Sequence, residues 1–508
     1  MLTRSFMTPE TNKDLLAYTP MFHARMFSEG AKYRAEHFQP TRGVLASPPD
    51  PYHTSQMQDS DWYLDGHKKL DRPLFVQFCA NNPDELLAAA KIVQPYCDAV
   101  DLNLGCPQGI ARKGNYGAFL QEDWDTIYKL INTLHKELDI PVTAKIRILD
   151  SREKTLQYAK TVLSAGASIL TVHGRQRDQK GHNTGVADWS MLRFLRDNLP
   201  PETVMFANGN ILQHDDIAQC MKETGVDGVM SAEGNLYDPS IFGKPPPVGQ
   251  EGREYWRGRD GKGGYRMDAA LRRYMDIIHR YVLDQEPPQR KPLFLPSDPV
   301  EEPVTNEKEK EQDEDNREDG PPPKKKQKRK EDRAKGQREK CTSPNLTVMQ
   351  PHLFHMLRPL VSKHTHVRDA LGRVRSGDIE EFERILSLVE EATKEGLLEY
   401  EKNGDASFQT EQEKAKQEEG RDPESIATIA RCKRPWFICQ PYIRPLPKEA
   451  LAKGALMLSK KEKARLEREK EEAEKSGVAP EGRIAEHKEV SNGEAKVADI
   501  PKEGLVCG

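Results

Sequence analysis

From Ala17 to about Phe242, short apolar runs alternate with helical patterns of mixed polarity. Seven of the runs read as strands: 17–22 (AYTPMF), 74–79 (LFVQFC), 99–105 (AVDLNLG), 142–148 (VTAKIRI), 169–174 (ILTVHG), 204–208 (VMFAN) and 228–232 (GVMSA). Most are rich in β-branched or aromatic residues, apolar at the start and polar at the end. That is the pattern of a parallel strand covered on both faces. Amphipathic helices follow most of them, at PDELLAAAKIVQPY, EDWDTIYKLINTLHKEL, REKTLQYAKTVLSAG, ADWSMLRFLRDNL and LQHDDIAQCMKETG. The first of these opens on Asn82-Pro83, a cap residue followed by proline at the first helical position.

Repeated strand–helix units imply either an open doubly wound sheet or a closed (β/α) barrel. The polar residues decide between them. Gln77, Asn103, Lys145, Arg147, His173, Arg175, Asn208, Asn210, Ser231 and Glu233 stand at the C-terminal ends of nearly every run. An open sheet gathers its ligands at one switch point, whereas a barrel draws them from many strand ends. The expectation is a TIM-type (β/α)8 barrel over 17–243. Only seven strands are found where eight are needed, and residues 1–16 read as the tail of a helix, so the first strand is the one expected to be absent.

Beyond the barrel, 265–284 (YRMDAALRRYMDIIHRYVL and its flank) is a basic amphipathic helix, and 346–402 supplies several more, broken at Pro359 and Gly377. Together they predict one small helical domain. Residues 285–345 are Pro-rich, then acidic, then basic, and are expected to form a disordered insert. Residues 403–508 are expected to be a charged, largely disordered extension with a helix near 459–475.

Composition agrees that part of the chain builds no core. Of its 508 residues, 31% are charged and 36% hydrophobic, and the net charge of −4 conceals opposite local charges. No apolar run approaches the roughly 18–20 residues of a membrane helix, and MLTRSFMTPETNKD lacks the apolar stretch of a signal peptide. The cysteines (Cys79, Cys97, Cys106, Cys220, Cys341, Cys432, Cys439 and Cys507) show no CxxC pair or repeating interval. That argues against a zinc module or disulfide framework and for a reducing compartment. Cytoplasm or nucleus, or both, is the expected location, with PPPKKKQKRK at 321–330 of the type that serves nuclear import or nonspecific nucleic-acid contact.

The segment 101–120, DLNLGCPQGIARKGNYGAFL, carries the clearest chemistry. A strand delivers Asn103 and then Cys106 to its end, and glycines at 109, 114 and 117 permit a close loop. A thiol of ordinary pKa, about 8.5, stays mostly protonated at neutral pH and can give its proton to a carbanion formed beside it. Next to a flavin, the pair can add hydride and proton across a double bond. Lys145 lies within an apolar strand, which is costly without an anionic or polar partner.

NLGCPQ at 103–108, AKIR at 144–147, TVHGR at 171–175, FANGNI at 206–211 and GVMSAEG at 228–234 resemble, in order and spacing, the tRNA-dihydrouridine synthase family. YTPMFHA at 18–24, GNYGAFLQ at 114–121 and the SAEG variant are most similar to its eukaryotic members acting on D-loop uridines 16 and 17. The resemblance covers about 15–284 well and the region around 350–395 less closely. It implies NAD(P)H-dependent reduction of uridine through FMN, with hydride to C6 and a proton from Cys106 to C5. It implies that Gln77, Lys145, His173, Asn208, Gly209, Asn210, Ala232 and Glu233 line FMN, the backbone at 208–210 and 232–233 holding the phosphate. Asn103 and Arg175 would help to place flavin or uracil. No metal and no obligate protein partner are implied.

The resemblance also implies that the helical domain binds tRNA, with Arg266, Arg272, Arg273, Arg280, Arg358, Lys363, His364, His366, Arg368, Arg373 and Arg375 as its basic face. Two departures stand out. The family's first strand ends in Ala-Pro-Met against the flavin ring, followed by an Asp/Asn-Gln-Ser run, and neither is here. The expectation is that Met1 is not the natural start and that about 20–40 residues precede it, the length of one βα repeat. The Pro- and Asp-containing loop between Gln39 and His67 is longer than the family's. Alternative readings are an inactive tRNA-binding protein of the same fold, and another flavin barrel oxidoreductase acting on a small molecule. Cys106 in GCPQ and the basic helical region speak against the last.

Overall fold

The structure is a computed structural model that describes residues 1–43, 45, 56–299, 341, 343–408, 421, 423–452 and 454. Its centre is one parallel sheet of eight strand segments. These are β1 (Ala17–Tyr18), β2 (Phe22–His23), β3 (Leu74–Cys79), β4 (Ala99–Asn103), β5 (Val142–Arg147), β6 (Ile169–His173), β7 (Val204–Asn208) and β8 (Gly228–Met230). Each strand from β3 onward pairs with the next, and β1 and β2 both pair with β3. β1 and β2 are therefore two pieces of one strand. Between Tyr18 and Phe22 this strand advances one residue more than β3 does between Phe75 and Phe78. Pro20 stands in that bulge, where a residue without an N–H is tolerated, and Thr19 Oγ1 accepts the Gln77 amide at 3.0 Å.

The seven strand positions match the seven expected, and among the described residues no strand precedes Ala17. Among the described residues the sheet does not close: β8 pairs only with β7 and β1 only with β3. Residues 1–16 form a 3-10 turn, Thr3–Phe6, and a short helix, Pro9–Asn12. The buried Arg4 donates to Asn12 O and, at 2.9 Å, to Pro73 O ahead of β3. Thr3 Oγ1 donates to Asn235 after β8 at 2.9 Å. The turn thus ties together the two sides of the sheet that share no ladder.

Helices Pro83–Val93, Trp124–Glu137, Arg152–Ser164, Trp189–Asn198 and Asp215–Thr224 pack in sequence around the outside. Asn82, Asp123, Ser151 and Asp188 cap the first four with side-chain oxygens, as the alternating pattern requires. Every residue of β3, β4 and β5 is buried, which is why these strands are mostly apolar and their few polar residues stand out.

The helical region has its own core. Helix Met267–Ile277 packs with Met349–Met356, Arg358–Lys363, Thr365–Arg373 and the long Ile379–Asn403, joined by Phe6 from the N-terminal turn. A single domain interrupted by an insert is the arrangement expected, and the breaks fall near Pro359 and Gly377 as read. A hairpin, β9 (Tyr255–Arg257) with β10 (Gly263–Tyr265), precedes this domain and was not expected.

Three expectations need correction. Residues 285–299 do not belong to a disordered insert: Arg290 pairs with Asp276 at 2.5 Å and Glu383 at 2.7 Å, and Leu293 is buried. Nor is 423–452 part of a loose extension. It forms helices Pro423–Cys432 and Pro447–Ala452, and between them Phe437, Ile438 and Cys439 are buried. Met267 N donates to Phe437 O and Cys439 N to Tyr265 O, both at 2.9 Å. A side chain on Gly396 would strike the Phe437 ring, so that glycine makes room for it.

The third correction concerns the basic face. Arg266 is 2% exposed and paired with the buried Asp268 at 2.5 Å. Arg272 pairs with Glu390 at 2.5 Å, and Arg273 with Glu254. These arginines join helices and loops; they do not present a surface. Arg280, Lys363, His366, Arg368, Arg373 and Arg375 are exposed. The run at 321–330 and the helix expected near 459–475 lie outside the described residues.

Phe437→Ala is expected to lower stability by about 3–5 kcal/mol, as removal of a fully buried aromatic does. Met26→Ala, at a side chain 52% exposed, is expected to change it by less than about 0.5 kcal/mol. Denaturant unfolding of the two variants measures both, and similar values would contradict the packing described for 433–440.

Candidate active site

The residues expected at the barrel mouth lie in β3 to β8 or in the loops that follow these strands, and most of them fall into two groups. The first is a chain of hydrogen bonds across β3, β4 and β5. Gln77 lies opposite Asp101, Asp101 opposite Thr143 and Asn103 opposite Lys145. Asp101 is fully buried and accepts from Thr143 Oγ1 at 2.6 Å and from Gln77 Nε2 at 2.8 Å. Gln77 Oε1 then accepts from Asn103 Nδ2 at 2.7 Å. Asn103 Oδ1, in turn, accepts the backbone amides of Gly105 at 3.0 Å and Cys106 at 2.9 Å.

A carboxylate can only accept, so it forces Gln77 to point its amide nitrogen at it. That choice orients Asn103, whose oxygen is left for the amide of Cys106. The loop is held from the other side as well. Arg147 Nε donates to Gly105 O at 2.7 Å, and Ala118 N to Cys106 O at 3.1 Å. Gly117 has φ +62°, and a Cβ there would come within 3.0 Å of Cys106, so this turn closes only around glycine.

Cys106 is 5% exposed and packs with Cys79, Ala111 and Tyr116, with Met21 and Phe119 against them. Burial, reinforced by Cys106 beside it, pushes the Cys79 thiol up to about 12, so Cys79 stays protonated. Met21 therefore reaches the cysteine loop, although the sequence assigns it no role.

The second group spans β6 to β8. Arg175 Nη1 donates to His173 Nε2 at 3.1 Å, which places the imidazole proton on Nδ1. Burial and then the charges of Lys145, Arg147 and Arg175 hold this histidine well below its usual pKa, so it is neutral. Nδ1 is buried and has no partner, and neither does Asn208 Oδ1. Asn210 Oδ1 accepts Arg175 Nη2 at 3.0 Å and Ala187 N at 2.9 Å. Gly209 has φ +109°, and a Cβ there would lie 2.7 Å from Ala187. The turn 208–210 is rigid, with its backbone open to close approach.

These features fit an anionic cofactor with hydrogen-bonding ring edges. His173 Nδ1 is an orphaned donor and Asn208 Oδ1 an orphaned acceptor at the ends of the adjacent strands β6 and β7, and a native fold rarely leaves such atoms without a ligand or water. Lys145, Arg147 and Arg175 put three cations at a mouth whose buried carboxylate is Asp101. Ala232 and Glu233 stand at the open β8 edge. Glu233's carboxylate turns toward Arg444, which donates to Oε1 at 2.8 Å.

Asp101, Thr143 and Arg444 have no place among the sequence-derived site residues. An aspartate inside the apolar run AVDLNLG was the available signal for the first. Nothing local marks Arg444.

The family model described as dihydrouridine synthase (Dus) matches residues 2–252. The tRNA-dihydrouridine(16/17) synthase (NAD(P)(+)) of Schizosaccharomyces pombe is 40% identical over 432 residues, 85% of this chain and 82% of its own length. The Saccharomyces cerevisiae protein of the same name is 54% identical over 263 residues, covering 52% of this chain and 54% of that one. The mouse tRNA-dihydrouridine(16/17) synthase (NAD(P)(+))-like protein is 44% identical over 243 residues, 47% of this chain and 45% of that one. The chain thus spans about half the length of the last two.

Burial raises Asp101 to about 6 against the opposing help of Thr143, Gln77 and Lys145. A carboxyl raised on folding lends stability below about pH 4 that is lost as pH climbs through about 6. Stability of the parent relative to Asp101→Asn is therefore expected to fall by about 2 kcal/mol between pH 4 and 7. Denaturation at several pH values measures this, and a difference independent of pH would contradict it.

Proposed function

Because this chain belongs to the dihydrouridine synthase family, we propose that it reduces uridine to 5,6-dihydrouridine in the tRNA D-loop, at positions 16 and 17, using FMN and NADH or NADPH. The observation that carries the reading is the fixed placement of Cys106 beside an anion-attracting mouth with unsatisfied hydrogen-bonding atoms. FMN bound there supplies hydride to C6 of the uracil.

The chain's own residues do the rest. Cys106 Sγ, only 5% exposed, holds a proton and delivers it to C5. The Asp101–Gln77–Asn103 chain keeps the Cys106 backbone in place while that proton leaves. His173, through its Nδ1 proton, and Asn208, through Oδ1, hold the cofactor's polar edges. Lys145, next to both Asp101 and His173, supplies positive charge on the ring side. The backbones of 208–210 and 232–233 take the phosphate, as late βα loops of such barrels do. A base has to leave the helical stack to reach the mouth, and Arg373 and Arg375 on the helical domain offer phosphate contacts for the tRNA that presents it.

Incubation with tRNA lacking dihydrouridine, followed by nucleoside mass spectrometry, tests the reading. The parent chain is expected to form dihydrouridine at 16 and 17 with NADH or NADPH. Cys106→Ala is expected to be at least about 100-fold slower, the usual contribution of a positioned acid, with its flavin content unchanged. Full activity in that variant would remove Cys106 from the acid role, and no product from the parent would reject the activity itself.

A further inference from the structure

Residues 433–452 lie outside the family match of 2–252, yet they run from the helical domain to the rim of the barrel. Phe437 and Ile438 anchor one end. At the other, a side chain on Gly185, in the loop after β6, would touch Pro447. Glu449, 2% exposed, accepts Leu446 N at 3.2 Å and Ser425 Oγ at 3.4 Å, which fixes the turn between them. Arg431 pairs with the buried Asp216 below the β7 loop. This segment is a strap with defined attachment points, and Arg444 is carried between them.

Arg444 donates Nε to Glu233 Oε1 at 2.8 Å, and its Nη2 lies 2.7 Å from the same oxygen as an ion pair. Nη1 makes no hydrogen bond among the described residues. Glu233 opens the short helix Glu233–Tyr237 after β8 and is close enough to Arg175 that both Glu233 and Arg444 act on that guanidinium. A carboxylate that acts on Arg175, the partner of Asn210, would repel a dianion held by the same guanidinium. Arg444 cancels that charge and leaves one nitrogen to donate.

We propose that Arg444 is a further binding residue for the phosphate of the flavin mononucleotide, closing from the strap side the seat that Arg175, Gly209 and Asn210 form from the barrel. The inference rests on the cofactor reading above. It makes the C-terminal strap part of the cofactor site, so a chain cut before residue 433 would have an incomplete one.

Riboflavin, which has the ring but no phosphate, separates a phosphate contact from general support of the fold. Dissociation constants for FMN and riboflavin are measured by fluorescence on the full-length chain freed of flavin, for the parent, Arg444→Ala, Arg444→Lys and Arg444→Ala with Glu233→Gln. Loss of one charge-assisted hydrogen bond predicts FMN binding weaker by about tenfold or more in Arg444→Ala. Riboflavin binding is expected to change less than about twofold. Arg444→Lys should recover part of the loss, and Glu233→Gln added to Arg444→Ala should recover part by removing the repelling charge. Unchanged FMN affinity in Arg444→Ala, or equal losses for FMN and riboflavin, would overturn the assignment. A parent chain that binds neither flavin would instead reject the cofactor reading on which it rests.

Discussion

A single buried carboxylate sets the direction of the hydrogen bonds that position the reactive cysteine. Asp101 can only accept, so Gln77 must donate to it, Asn103 must donate to Gln77, and the Asn103 oxygen is left for the amides of Gly105 and Cys106. An amide pair alone could flip and exchange donor for acceptor; a carboxylate at the end of the chain removes that freedom. The arrangement costs burial of a charge, which the rise of Asp101 to about 6 registers. It is tolerated because two side chains hydrogen-bond it and Lys145 lies near.

The same economy of charges extends outward. The sheet leaves β1 and β8 unpaired with one another, an arrangement that exposes ladder groups. The N-terminal turn answers part of this, with Arg4 and Thr3 reaching to opposite sides. Farther out, Arg266, Arg272, Arg273 and Arg290 spend their charges on Asp268, Glu390, Glu254, Asp276 and Glu383. Arginines that look like a nucleic-acid face in one dimension are thus the joints between the hairpin, the helical domain and the chain after it.

The barrel and its mouth were legible because both follow from local periodicity. A strand buried on both faces must be apolar until its end, so Gln77, Asn103, Lys145, His173 and Asn208 stand out where the apolar run stops. Cys106 was legible from its loop, whose glycines permit the close turn. Asp101 was not, since one aspartate in a strand reads as an irregularity until its partners on β3 and β5 are known. The strap was missed for a related reason. KRPWFICQPYIRP is extended and rich in proline and cations, the composition of a loose tail, and only its partners in the fold, among them the space left beside Gly396, show that Phe437 is core. Contacts between segments far apart in sequence, such as Arg444 with Glu233 at a separation of 211 residues, leave no trace in the local pattern.

The most direct measurement of the central claim, that this open barrel builds a working flavin site from β3 to β8, is a visible absorption spectrum of the purified 508-residue chain. The account predicts a flavin band and, on denaturation, release of FMN at close to one per chain. A folded chain that stays colourless even after incubation with excess FMN would contradict it.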